Sequence, residues 1–103
     1  MEKGSDILIL DLATVKDFLR LEQDFYDEDP VLNLLISAAE TYLYNATGIQ
    51  FDSTNNIAKL FCLILVADWY DNRDYIGKVS DKVRYTIESM MTQLTYFYAG
   101  DSA

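Results

Sequence analysis

The apolar residues of this chain recur at helical spacing in four separate stretches. Residues 7–10 are an unbroken apolar run, read as either a short extended arm or part of a lid on the core. Asp11 follows as an N-cap, its carboxylate placed to accept an orphan backbone N–H. Leu10 and Val15 stand where a hydrophobic staple would put them. Leu12, Val15, Phe18 and Leu19 share one face and predict a first helix over about 12–20. Asp29 and Pro30 open a second helix, with the acid as N-cap and proline at the first helical position. From Val31 to Ala46 the apolar residues form one broad face, opposite Asn33, Ser37, Glu40, Tyr44 and Thr47. Gly48 ends that helix, since it tolerates a left-handed cap.

A third helix over about 55–73 is apolar nearly all round in its first half, which predicts burial on several sides. Its second half divides. Asp68, Asp71 and Asn72 fall on one side, and Cys62, Val66, Trp69, Tyr70 and Arg73 on the other. Trp69 and Arg73 are four residues apart and are placed to stack as a cation–π pair. Ser80 caps a fourth helix over about 81–98, whose inner stripe is Val83, Ile87, Met90, Met91, Leu94, Phe97 and Tyr98; Gly100 ends it. The expected architecture is a single all-α domain over residues 1–103. It is a small bundle of about four helices around an apolar central third helix, with an N-terminal arm (1–10) and a C-terminal tail (99–103).

Composition narrows the function. With 103 residues the chain buries one core and stays marginal enough for partner surfaces to matter. Net charge is −9 and uneven: residues 1–56 carry eleven acids against three bases, residues 57–103 six against five. Such a surface repels a polyphosphate and argues against electrostatic grip on nucleic acid. Histidine is absent, which removes the commonest general base and the best zinc ligand. The single cysteine, Cys62, lies in the most apolar stretch and reads as an inert buried thiol. The longest apolar run, 60–67, is far short of the ~20 residues a membrane span needs, and the acidic N-terminus is no signal peptide.

No constellation of chemistry stands out. The acids of 22–29, "EQDFYDED", lack the alternating ligands, sixth-position glycine and twelfth-position glutamate of a calcium hand, and read as a solvated connector. Asp71 and Asp74 are paired carboxylates on a helix end with no sign of a pocket. No phosphate loop, nucleophile elbow or cysteine cluster is present. The chain therefore reads as a non-enzyme with no catalytic, cofactor-binding or metal residues. What the composition does favour is protein contact. Tyr85, Ser89, Thr92 and Tyr96 make an uncharged stripe on the outer face of the fourth helix, and tyrosine joins large contact area to a polar tip. Trp69, Tyr70 and Arg73, where the third helix leaves the core, are a second candidate border of an interface.

"DLATVKDFLRL", "DEDPVLNLLISAAETYLYNATGI" and "AKLFCLILVADWYDNRD", in that order, resemble the small head–tail connector (adaptor) proteins of tailed bacteriophages, a family that carries a QLRG signature and is also described as DNA-packaging proteins. The resemblance spans about 8–98. Its most specific pieces are the Leu-Arg closing the first helix, the acidic gap before the second, the Ala-Thr-Gly-Ile stop at 46–49 and the Ala-x-Trp-Tyr-x-Asn-Arg run at 67–73. One departure stands out: Gln93-Leu94-Thr95-Tyr96 occupies the place of Gln-Leu-Arg-Gly, so contacts made through that arginine stay open here.

The resemblance implies a structural role. Such proteins form a homo-oligomeric ring beneath the portal protein, matching its symmetry when assembled, extend the DNA channel and offer a docking surface to a tail-completion or further connector protein. DNA passes nearby without specific binding, no membrane is involved, and the work is done at the virion head–tail junction after assembly in the bacterial host cytoplasm. Two other readings of the same residues are a small acidic DNA mimic and a regulatory helical module that binds another protein.

Overall fold

The helices form where apolar spacing predicts them: α1 (Leu12–Leu19), α2 (Asp29–Thr47), α3 (Asn56–Asp71) and α4 (Asp81–Gln93). A 3-10 turn (Arg73–Tyr75) links α3 to α4, and a π-helical turn (Leu94–Tyr98) prolongs α4 to the predicted end. The computed structural model describes residues 9–52 and 54–98, the side chains of residues 75, 97 and 98 aside. The expected leader, most of the N-terminal arm, the tail, and the inward placement of Phe97 and Tyr98 lie outside what is described. Among the described residues there is no strand, and the fold is the expected all-α bundle.

The local signals act as their chemistry requires. Asp11 Oδ1 accepts the Thr14 N–H at 2.8 Å, and this bond holds its carboxyl below the usual carboxylate range. The α2 stop works residue by residue. Gly48 takes φ 73°, its N–H donates to the Tyr44 carbonyl at 2.7 Å, and the Thr47 hydroxyl accepts the Ile49 N–H at 3.1 Å. Asn55 caps α3 by accepting the Ile57 and Ala58 amides, both at 3.0 Å.

The central position of α3 follows from its composition. Ala58, Phe61, Cys62, Leu65, Val66 and Trp69 are all fully buried. Helices α2 and α4 flank α3 and meet each other less extensively, while α1 lies across α2 and α3. Tyr42 on α2 packs against both Phe61 and Trp69, each with ring centroids 6.3 Å apart. The Trp69 indole N–H donates to the Lys78 carbonyl at 2.7 Å and ties the loop before α4 to the core. Ile9 and Leu10 are buried, so these two residues belong to the lid rather than to a free arm.

Four local expectations are corrected. Asp29 is the first residue of α2 and makes no side-chain cap; Glu28 precedes the helix, and the Asp29 carboxylate turns to Lys16. Asp68 is buried, because α4 closes over that side of α3. Ser80 does precede α4, but its hydroxyl donates to Asp68 Oδ1 at 2.9 Å instead of capping the helix. A buried carboxylate has the stronger need for a donor. Lastly, α3 ends at Asp71, so Arg73 leaves the helical register and does not stack on Trp69. Its guanidinium lies 5.8 Å from the Tyr70 ring centre and 3.2 Å from Glu28 Oε1.

Candidate functional site

The stripe predicted on α4 is exposed along its length. Tyr85 and Tyr96 are 84% and 75% exposed, and Ser89 and Thr92 between them are exposed as well. They stand outward because Ile87, Met90 and Leu94 hold the opposite side of the helix in the core. The Thr92 hydroxyl donates to the Glu88 carbonyl, and a groove of about 250 Å³ runs beside Met91, Thr92 and Tyr96.

Trp69, Tyr70 and Arg73 are arranged differently. Trp69 is fully buried and presents no surface; any part it has in contact is indirect, through the loop it anchors. Tyr70 is half-buried, and Arg73 is exposed and paired with Glu28. Desolvation raises the Tyr70 hydroxyl above its ordinary value, and the Glu28 carboxylate beside it adds to the rise. The two groups named from sequence are thus distinct: an outward stripe on α4 and a tied-down corner at the end of α3.

The acidic connector is less free than its composition suggests. Lys16 is only 2% exposed, and its Nζ is 2.8 Å from Asp29 Oδ1 and 3.1 Å from the Gln23 carbonyl oxygen. It also stands 4.9 Å from the centre of the Tyr26 ring. The connector wraps around one buried cation, while Glu22, Asp24 and Asp27 remain exposed. Gln23 fastens it further by donating to the Ala13 carbonyl and to Asp17. Lys16, set between Val15 and Asp17 in an amphipathic helix, gave no sequence sign of this.

A second surface also escaped the sequence reading. The exposed face of α2 carries Asn33, Leu34, Ser37, Thr41, Tyr44 and Asn45, all uncharged; Leu34, expected on the apolar face, is 64% exposed because it lies at that broad face's outer edge. Two acids lie on this helix, and both are turned to internal contacts. Asp29 meets Lys16. Glu40, expected on the solvent side, accepts the Ile9 and Leu10 amides through one oxygen, Oε2, at 2.7 and 3.0 Å. Desolvation raises the Glu40 carboxyl above its ordinary value, against the lowering effect of those two bonds. The available signal was a gap in charge: between residues 30 and 47 Glu40 is the only charged residue.

Little here suits chemistry. Burial pushes the Cys62 thiol far up, and the Glu40 charge adds to that. Among the described residues no group of three or more Cys, Asp or Glu is placed to hold a metal ion, and no helix is long and apolar enough to cross a membrane. What the arrangement offers is contact area on two faces, an uncharged one on α2 and the tyrosine stripe on α4 with Glu88 exposed at its edge.

Comparison with curated proteins and with solved structures found no match. A family model described as "Phage gp6-like head-tail connector protein" matches residues 9–96, a span that holds all four helices and both candidate faces. The chain belongs to the phage gp6-like head–tail connector family, a structural family of the virion's head–tail junction.

Proposed function

We propose that this protein assembles as a homo-oligomeric ring between portal and tail, extends the DNA channel and completes the head after packaging. The observation that carries the reading is the pairing of family membership over residues 9–96 with an exposed tyrosine stripe on α4. A ring is built from a head-to-tail contact repeated around an axis, so each subunit must offer a surface to its neighbour. In this reading Tyr85, Ser89, Thr92 and Tyr96 supply direct contact area, and Tyr70 and Arg73 border it, with Trp69 supporting them from within. The ring's partners are further copies of the chain, the portal protein and a tail-completion or other connector protein. It performs no chemistry and takes no cofactor.

The net charge of −9 suits the passage of DNA. Contacts that hold phosphates come from Lys and Arg, and release of counterions drives them; an acidic wall forms none. The chain assembles in the host cytoplasm and ends in the virion.

The test is to mix the purified protein with its portal and image the product, with particle mass measured alongside. A ring of this chain on the tail-facing end of the portal is the expected result. Heads that join tails and keep their genomes without this protein would overturn the proposal.

A further inference from the structure

We infer that the uncharged face of α2 is the receiving half of the contact between copies: it takes the tyrosine stripe on α4 of a second copy of this chain. The inference rests on the ring reading above and specifies which two faces meet.

Charge is the first argument. Two copies that each carry −9 repel at close range, so a contact between them needs surfaces poor in acids. Seventeen acids and eight bases are spread along the chain, yet three long segments nearly escape them, of which 53–67, with only Lys59, belongs largely to the central α3. Residues 30–47 contain only Glu40, and residues 85–98 only Glu88. The fold then removes Glu40 from the α2 face by turning it onto the Ile9 and Leu10 amides, whereas Glu88 stays exposed at the edge of the α4 stripe, beside Thr92 and Tyr96. A partner with a basic surface would be matched by exposed acids. A second copy, itself acidic, is the partner for which such charge-poor faces are required, the α2 face without charge and the α4 face with one acid at its edge, and a head-to-tail contact requires two different ones.

Shape and chemistry agree. A groove of about 350 Å³ lies along α2, lined by Leu34, Ser37, Thr41, Asn45 and the facing Gly77. It offers an apolar side chain to the body of an aromatic ring and hydroxyl and amide groups to its phenol tip. Tyr85 and Tyr96 have that form: an apolar body that gains from leaving water, and a hydroxyl that needs a partner when it does. Both are largely exposed in the single chain. The α2 and α4 faces lie on helices that flank α3, so one subunit carries both halves of the contact.

Cysteine cross-linking tests this. Thr41→Cys on α2 and Ser89→Cys on α4 are made singly and together, and treated with a short bis-maleimide. The treatment is applied to concentrated protein and to assembled head–tail particles. Native Cys62 is buried and stays silent. The expected result is a ladder of covalent multimers from the double variant and monomer from each single variant. Oligomers that form without a ladder overturn the face assignment and leave the ring reading intact. Covalent dimers from a single variant also overturn it, because a face would then be meeting its own kind. Chains that remain single copies both in concentrated solution and in particles overturn the ring reading and this inference together.

Discussion

Lys16 Nζ lies 2.8 Å from Asp29 Oδ1, with the lysine side chain 2% exposed: one buried ion pair pins α1 to the start of α2. Around it the connector folds back, contributing the Gln23 carbonyl oxygen and the Tyr26 ring. Breaking a buried pair by removing one partner strands the other charge. Asp29→Asn should therefore destabilise the fold by about 3 kcal/mol, the low end for such pairs because Asp29 keeps some contact with water. Lys16→Met, which fills the same space, strands only the Asp29 carboxylate, which keeps contact with water at the N-terminus of α2, and should cost less. Urea unfolding of the two variants checks this, and a neutral Asp29→Asn would show that the pair contributes nothing.

Ser80 and Asp68 make a second buried polar contact, between α3 and the start of α4. The other oxygen, Asp68 Oδ2, is buried without a hydrogen-bond partner. Ser80→Ala removes the donor to Oδ1 and should cost about 1–3 kcal/mol. Replacing both partners by apolar groups is expected to recover part of that loss, since no polar atom is then left unsatisfied. A double variant, Ser80→Ala with Asp68→Leu, that is no more stable than Ser80→Ala would count against this account.

Glu40 gives a pH signature with a defined sign. Its folded carboxyl titrates above the ordinary value of 4.5, with desolvation as the largest cause. The folded chain then binds this proton more tightly than the unfolded chain does. Its contribution to stability is greatest below that value and declines as pH rises through the folded one. Both backbone amides donate to a single oxygen, which glutamine retains. Glu40→Gln should therefore gain stability relative to the parent between pH 4 and pH 7. Denaturant titrations at the two pH values measure the difference, and a gap that stays constant or reverses refutes it.

Trp69 joins packing to a hydrogen bond, and two substitutions separate them. Trp69→Ala opens a large cavity at the centre and should cost about 3–5 kcal/mol. Trp69→Phe keeps most of the ring but loses the donor to the Lys78 carbonyl, a loss of about 1 kcal/mol. Thermal unfolding ranks the pair. If Trp69→Ala folds with parental stability but fails to assemble, the residue works at a subunit contact instead of in the core.

Cys62 should resist thiol reagents in the folded chain and react promptly in denaturant, because burial disfavours the thiolate that attacks. Fast labelling of the native protein would mean that α3 opens readily.

Helix number, order and approximate ends were readable from local signals, since apolar period, caps and glycine stops act over a few residues. Asp11 and Gly48 illustrate this, each working through backbone groups at most four positions away. The tyrosine stripe was readable for the same reason: helical spacing alone sets which residues oppose Ile87, Met90 and Leu94. Errors arose where a polar side chain had a distant alternative. Asp29 left its cap for Lys16, and Glu40 left the solvent side for amides thirty residues away.

Sequence alone thus determined the helical class, the central place of α3, the acidity that disfavours DNA binding, and the family. Tertiary structure decided which charges stay on the surface. A helical wheel assigns faces but not neighbours, and a carboxylate settles wherever donors offset its loss of water. Packing brought Lys16 and the Ile9 and Leu10 amides to the acids of α2, and that is what left its outer face uncharged.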